Sequence, residues 1–135
     1  MAVHGDITEI NFTHPEIGSG TLFPKANEES TIDLGGFRTN DDSNQITGNG
    51  TLILQKNRTV GFVECVIEND NNLREDLDKI SQLTASPLQT NWTWTHISGA
   101  IYSGDGVPVG DIQAGLNAGT FTLKVNCANI VKIQG

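Results

Sequence analysis

The sequence has few basic residues. Eight Lys and Arg stand against sixteen Asp and Glu in 135 residues, which gives a net charge of −8. This balance argues against nucleic-acid binding, which depends on neutralising phosphates, and against docking on an anionic membrane surface. No apolar run approaches the ~20 residues that a membrane span requires. The first residues lack the basic stretch and apolar run of a signal peptide, so we expect the chain to fold in a cytosol.

Cysteine is also scarce, and its placement gives no sign of a metal or a disulfide. Cys65 and Cys127 lie in strand-like runs and are expected to be free, half-buried thiols. His4, His14 and His96 show no ligand spacing with either cysteine. We therefore expect no bound metal and no cofactor.

Hydrophobic residues make up 36% of the chain and charged residues 18%, and Gly, Asn, Thr and Ser fill the difference. This composition is typical of a β-rich protein with many turns. The length predicts one domain over residues 1–135, with an N-terminal arm or first strand in residues 1–30 and a β core in residues 31–135. The alternation of apolar and polar residues indicates about six to eight strands, and one segment has the periodicity of a helix.

The clearest helix signal covers residues 72–84, where Leu73, Leu77, Ile80 and Thr84 form one apolar stripe. Residues 35–50 are predicted to form a long polar loop. Residues 51–56 and 60–67 are predicted to form a hairpin turned at residues 57–59.

The second half of the chain is predicted to continue as strands. Residues 89–102 form one strand, or two with a bend at Ser98 and Gly99. Asp105 and Gly106 predict a hairpin turn, and Pro108 predicts an edge strand after it.

Side chains that could carry chemistry are sparse. Trp92 and Trp94 share a strand face and could form an aromatic platform for a sugar, but such residues are more often core or subunit-interface anchors. His96 has no evident orienting partner for acid–base catalysis. The Gly-rich stretch at residues 104–110 does not have the G-x-G-x-x-G spacing, so we predict no enzyme activity.

The order of elements resembles one known family. The segment Thr31-Ile32-Asp33-Leu34-Gly35-Gly36-Phe37-Arg38-Thr39 is similar to an Asp, Gly-Gly and Arg segment of Mu-like phage tail tube proteins. Two strands, an acidic Leu-rich helix and a strand pair with a Gly-rich turn follow it, as in that family. The resemblance covers residues 31–131.

The resemblance implies a mainly β (α+β) fold of two packed antiparallel sheets, barrel-like, with one flanking helix. It implies hexameric rings that stack into the inner tube of a contractile tail, within a sheath. The expected partners are other copies of the chain, the sheath, the tape-measure protein, the baseplate hub and the tail terminator, and DNA passes without specific binding. The expected location is the virion, and the host cytoplasm during assembly.

The resemblance and the residues together suggest two surfaces. Contacts between subunits or rings are assigned to six residues: Phe37, Arg38, Asp41, Asp42, Trp92 and Trp94. The channel lining is assigned to Glu64 and Glu68, with the Thr-rich strand faces as further candidates. The alternatives are the tube of a tailocin or another injection machine, a monomeric carbohydrate-binding β-sandwich and an enzyme with an unrecognised site.

Overall fold

The chain folds as a mainly β protein with one helix in a computed structural model that describes residues 3–39, 44–69 and 76–134. The strands are β1 (Ile7–His14), β2 (Gly18–Leu22), β3 (Thr31–Asp33), β4 (Gly36–Arg38), β5 (Gln45–Ile46), β6 (Leu52–Ile53), β7 (Asn57–Thr59), β8 (Gly61–Glu68), β9 (Thr90–His96), β10 (Ile101–Val109), β11 (Ala114–Gly115), β12 (Thr120–Cys127) and β13 (Val131–Gln134). The helix α1 (Asp76–Ala85) lies between β8 and β9. The predicted fold class is confirmed.

Nine strands form one large antiparallel sheet. Its order is β2-β1-β9-β10-β12-β8-β3, and β11 pairs with β12 while β13 pairs with β10. The sheet curls until the chain after β2 reaches β8, where Lys25 N donates to Val66 O at 2.9 Å and Glu68 N donates to Phe23 O at 3.0 Å. Over the described residues this contact does not close a barrel, because β2 itself pairs only with β1. The packed layers therefore belong to one curled sheet.

Alternating side chains from all the long strands fill the interior of this sheet. On β8, Val63, Cys65 and Ile67 are buried, as the period of two predicts. Trp92 and Trp94 on β9 lie at the centre, with their ring centroids 6.3 Å apart and nearly parallel planes. Leu22 of β2 and Val63 of β8, which lie near opposite ends of the strand order, belong to the same apolar cluster, so folding the sheet over is what buries it.

The N-terminal region is part of this core: the first strand predicted within residues 1–30 is β1, and part of the arm or loop expected after it is strand β2. β1 and β2 form a hairpin that buries Ile10, Phe12 and Leu22. His14 Nδ1 accepts the backbone N–H groups of Glu16 and Ile17, each at 3.0 Å. Its Nε2 must then carry the proton, and it donates to Ser86 Oγ at 2.8 Å. This side chain ties the first turn to the end of the helix region.

Residues 51–67 do not form the predicted hairpin. Residues 57–59 are strand β7, which pairs with β4, and β6 pairs with β5. The predicted polar loop over residues 35–50 therefore contains two strands. The sequence pattern favoured pairing of residues 51–56 with residues 60–67. Instead, β6 pairs with β5, β7 pairs with β4 and β8 pairs with β3, and these partners all come earlier in the chain.

The predicted Asp105–Gly106 turn is also wrong, because both residues lie inside β10. A Cβ at Gly106 would lie 2.0 Å from Asn126 O, so this glycine permits close approach of β12. Pro108 pairs with Val125 of β12, beyond the residues of β10 that pair with β9. Its missing N–H is therefore tolerated. The predicted bend at residues 98–99 is confirmed between β9 and β10.

The helix prediction is confirmed over Asp76–Ala85, and the predicted start at residues 72–75 lies outside the described residues. Ile80 and Leu83 are fully buried against the sheet. No helix in the described part of the chain is long and apolar enough to cross a membrane.

Candidate functional site

A two-stranded arm extends from the body between β3 and β8. We define the arm as residues 36–39 and 44–59. β4 pairs with β7 near the body, with Phe37 opposite Arg58. β5 pairs with β6 farther out, with Ile46 opposite Leu52. Within the described residues each ladder is a separate two-stranded sheet that pairs with no other strand, so the outer arm depends on local contacts.

The arm exposes apolar side chains to solvent. Phe37 is 66% exposed, Ile46 69%, Leu52 56% and Leu54 60%. Most apolar residues on the long body strands alternate into the core, but those on the arm have no layer to pack on. Several exposed apolar side chains on one short segment are typical of a binding surface.

The root of the arm is held by two glycines. Gly35 has φ +74°, and a Cβ there would lie 2.6 Å from Gly61 N and 2.8 Å from Thr59 O. A Cβ at Gly61 would lie 2.9 Å from Asp33 O. The outgoing and returning backbones therefore touch at this point, and only glycine fits at both positions.

An ion pair braces the same root. Arg38 donates from Nη1 to Asp33 Oδ2 at 3.0 Å, and its Nη2 donates to Asp33 Oδ1. Gly35 N also donates to Asp33 Oδ1, at 2.9 Å. The hydrogen bond from Arg38, followed by that from Gly35, lowers the pKa of the Asp33 carboxyl. Arg38 is thus engaged within its own chain and braces the arm.

The outcome differs among the other five residues that were assigned to contacts between subunits or rings. Phe37 is exposed, and the Arg58 guanidinium carbon lies 4.7 Å from its ring centroid. Asp41 and Asp42 lie outside the described residues. Trp92 and Trp94 are 0% and 1% exposed, so their assignment to a subunit interface is wrong. For the same reason they form no surface platform for a sugar.

The outer face of the curled sheet is polar, and both residues predicted to line a channel lie on it. Glu64 and Glu68 are exposed on β8, opposite Lys124 and Thr120 of β12. Lys124 Nζ lies 4.4 Å from the ring centroid of Phe62, which also points outward. The Thr-rich positions of β9 and β12 alternate outward as well. The two glutamates and the Thr-rich strand positions that were predicted to line a channel therefore lie on the same face of the sheet.

Side-chain hydrogen bonds extend this face across the other strands. Thr21 Oγ1 donates to Asn11 Oδ1 at 2.7 Å, and Asn11 Nδ2 donates to Glu9 Oε1 at 3.0 Å. Asn91 Nδ2 donates to Asp105 Oδ1 at 2.9 Å. We define the polar face by these outward side chains: Glu9, Asn11, Thr21, Phe62, Glu64, Val66, Glu68, Asn91, Thr93, Thr95, Asp105, Thr120, Thr122 and Lys124.

The described part of the chain offers neither a reactive thiol nor a cluster of metal-ligating side chains. Cys65 and Cys127 are free and buried, and burial raises the pKa of each thiol to about 11. Both therefore stay protonated and unreactive at neutral pH. No group of three metal-ligating side chains occurs among the described residues.

Alanine at the arm root separates backbone strain from steric clash. Gly36 also has a positive φ, +92°, but a Cβ there meets nothing within 4 Å. We expect Gly36→Ala to cost about 1 kcal/mol of unfolding free energy and Gly35→Ala to cost about 2 kcal/mol or more, because the latter adds a backbone clash. Urea unfolding of both variants checks this. Equal losses of unfolding free energy in the two variants would contradict the close contact between the two backbones at Gly35 and Gly61.

Removing Arg38 should raise the pKa of Asp33 toward its ordinary value. The ion pair holds the folded pKa below the unfolded one, so its stabilisation is present above the unfolded pKa and is lost as pH falls through the folded pKa. A carbon-detected NMR titration of Arg38→Gln measures the shift, with Arg58→Gln as the control. An unchanged Asp33 pKa in Arg38→Gln would show that the brace does not form.

Comparison with known proteins adds no assignment. No protein-family model matches this chain, and no curated protein matches it.

Proposed function

We propose that this chain is a structural tube protein that assembles into stacked hexameric rings, the inner conduit of a contractile phage tail through which DNA passes. The observation that carries the proposal is the arm, an extended hairpin braced at its root and apolar on its surface. The number six and the stacking follow from the resemblance to Mu-like tail tube proteins.

The apolar side chains of the arm favour a partner that covers them. Burying one Leu or Ile side chain is worth about 1.5–3 kcal/mol relative to leaving it in water. Ile46, Leu52 and Leu54 are 56–69% exposed, so together they offer about twice this amount to any surface that excludes water from them. A second copy of the same chain is the partner in this proposal, and repeated arm-to-body contacts build rings and tubes.

The sheet edges support the same mode of assembly. β13 pairs only with β10, and β3 pairs only with β8, among the described strands. Such edges offer unpaired backbone groups to a neighbouring chain. Heterologous contacts that close into a ring cover one edge of every subunit with the next.

The polar face is assigned to the channel. Carboxylates outnumber ammonium groups on it, and the remaining positions are mostly Thr and Asn. Such a wall repels the phosphate backbone, whereas each Lys or Arg contact would add a salt-dependent attachment point. DNA then passes without specific binding, and the tape-measure protein occupies the channel before it.

The other partners in this proposal are the sheath, the baseplate hub and the tail terminator, and the location is the virion after assembly in the host cytoplasm. The tube of a tailocin or another injection machine needs the same ring and arm and stands as the alternative. A monomeric carbohydrate-binding β-sandwich has less support, since the two tryptophans proposed for its platform are buried.

Serine substitutions at the arm tip should prevent tube formation without unfolding the subunit. In Ile46→Ser/Leu52→Ser, two facing apolar side chains are lost from an exposed ladder. Surface changes of this kind usually alter unfolding free energy by no more than about 0.5 kcal/mol each. Sedimentation and negative-stain microscopy measure tubes, and Leu116→Ser, an exposed leucine outside the arm, is the control. Normal tubes from the double variant would contradict the proposal.

Charge reversal on the polar face should make the channel retain DNA. Tubes of Glu64→Lys should form. They should bind short duplex DNA at low salt, because the paired positions 64 and 124 then both carry a lysine. Tubes of the wild type and of Glu64→Gln should not retain it. Co-sedimentation with labelled DNA checks this, and no retention by Glu64→Lys tubes would place Glu64 outside the channel.

A further inference from the structure

A cleft of about 650 Å³ opens at one end of the curled sheet. Its accessible apolar side chains are Val3, Ile7, Ile32 and Tyr102. Val63 and Trp94 also line it, but they are core residues that are each 1% exposed. Its walls come from residues 3–7, residues 27–32, the turn after β9, and β13. No residue of the arm lines it, so the arm does not fill the cleft of its own chain.

The rim of this cleft is acidic. Asp6, Glu28 and Glu29 supply three carboxylates, and Lys132 supplies the one ammonium group among the described lining residues. Lys25 Nζ lies 3.5 Å from Glu28 Oε1, so Glu28 is partly neutralised. His4 and His96 also line the cleft, and His96 Nε2 bonds the backbone oxygen of Gly5 at 3.0 Å. An occupant that combines an apolar side chain with a cation fits this surface.

The returning side of the arm carries that combination. Residues 51–60 contain Lys56 and Arg58 and no carboxylate. Residues 54–56 lie between β6 and β7 and belong to neither strand, and Leu54 is 60% exposed. In an extended chain, residues two apart point to the same side, about 7 Å from each other. When residues 54–56 are extended on docking, Leu54 and Lys56 enter one cleft together.

We propose that residues 54–56 of one copy dock in the cleft of a second copy, with Leu54 against Ile7, Ile32 and Tyr102 and with Lys56 beside Glu29 and Asp6. The edges of β3 and β13 flank the cleft, and each can pair with an extended segment. This inference rests on the proposed self-assembly and specifies the surface that receives the arm.

A charge exchange between the two surfaces tests the docking. At low salt, Lys56→Glu and Glu29→Lys should each lower the sedimenting fraction about tenfold, and the combined variant should recover to within about twofold of the wild type, because opposite charges face each other again. Glu16→Lys, an exposed reversal on the β1–β2 turn, is the control and should not change assembly. Failure of the combined variant to recover overturns this inference.

Disulfide trapping gives a second readout that does not depend on charge. Subunits carrying Leu54→Cys are mixed with subunits carrying Thr31→Cys, a cleft position, and oxidised at neutral pH, where the buried native thiols do not react. The inference predicts a mixed dimer for this pair and none for Leu54→Cys with Glu16→Cys. A disulfide between Leu54→Cys and Glu16→Cys, or no disulfide between Leu54→Cys and Thr31→Cys, would show that the arm docks elsewhere and would overturn the inference.

The two proposals fail in different ways. If wild-type tubes form and the arm-tip serines abolish them, but neither exchange nor trapping succeeds, the tube function stands and the cleft is not the receiving surface. If the wild type never assembles, the tube function and the docking are both overturned.

Discussion

The contact between the backbones at Gly35 and Gly61 fixes where the arm leaves the body. Because neither residue has a side chain, the outgoing and returning segments meet at van der Waals distance beside the end of β3. The Asp33–Arg38 pair can then span the turn, and Phe37 can lie beneath Arg58 across the first arm ladder. A wider root would separate these partners, and the apolar outer arm would have no fixed direction.

Different parts of the molecule have different surface chemistry. The interior of the curled sheet holds the aromatic and aliphatic side chains, the polar face carries most of its charge as carboxylates, and the returning side of the arm is apolar and basic. A net charge of −8 opposes close packing of identical subunits. Local attraction between a basic segment and an acidic cleft, together with apolar burial, is the means by which this account overcomes that repulsion.

The sequence predicted the parts of the fold that depend on local periodicity. Alternation on β8 and β9 correctly grouped the side chains that share a face, and the apolar stripe gave the helix at Ile80. It failed where the partner of a strand is decided by distant contacts. Residues 57–59 look like a turn between two apolar runs, but β4 supplies a partner on the other side of the arm.

The candidate site was predictable only in outline. The Gly pair at residues 35–36 and the long polar segment after it indicated a contact element, and Glu64 was placed on an outward face. The tryptophans were misassigned because strand alternation does not say which face of a sheet is covered. The cleft could not be foreseen, since it is built from segments far apart in the chain.

The most direct test is cryo-electron microscopy of the concentrated wild-type protein, with light-scattering mass measurement on the same sample. The account predicts ring-shaped or tubular particles in which the arm of each subunit is covered by a neighbouring copy and the polar face lines the lumen. A single species with the 14.5 kDa mass of one chain, at every concentration tested, would contradict it.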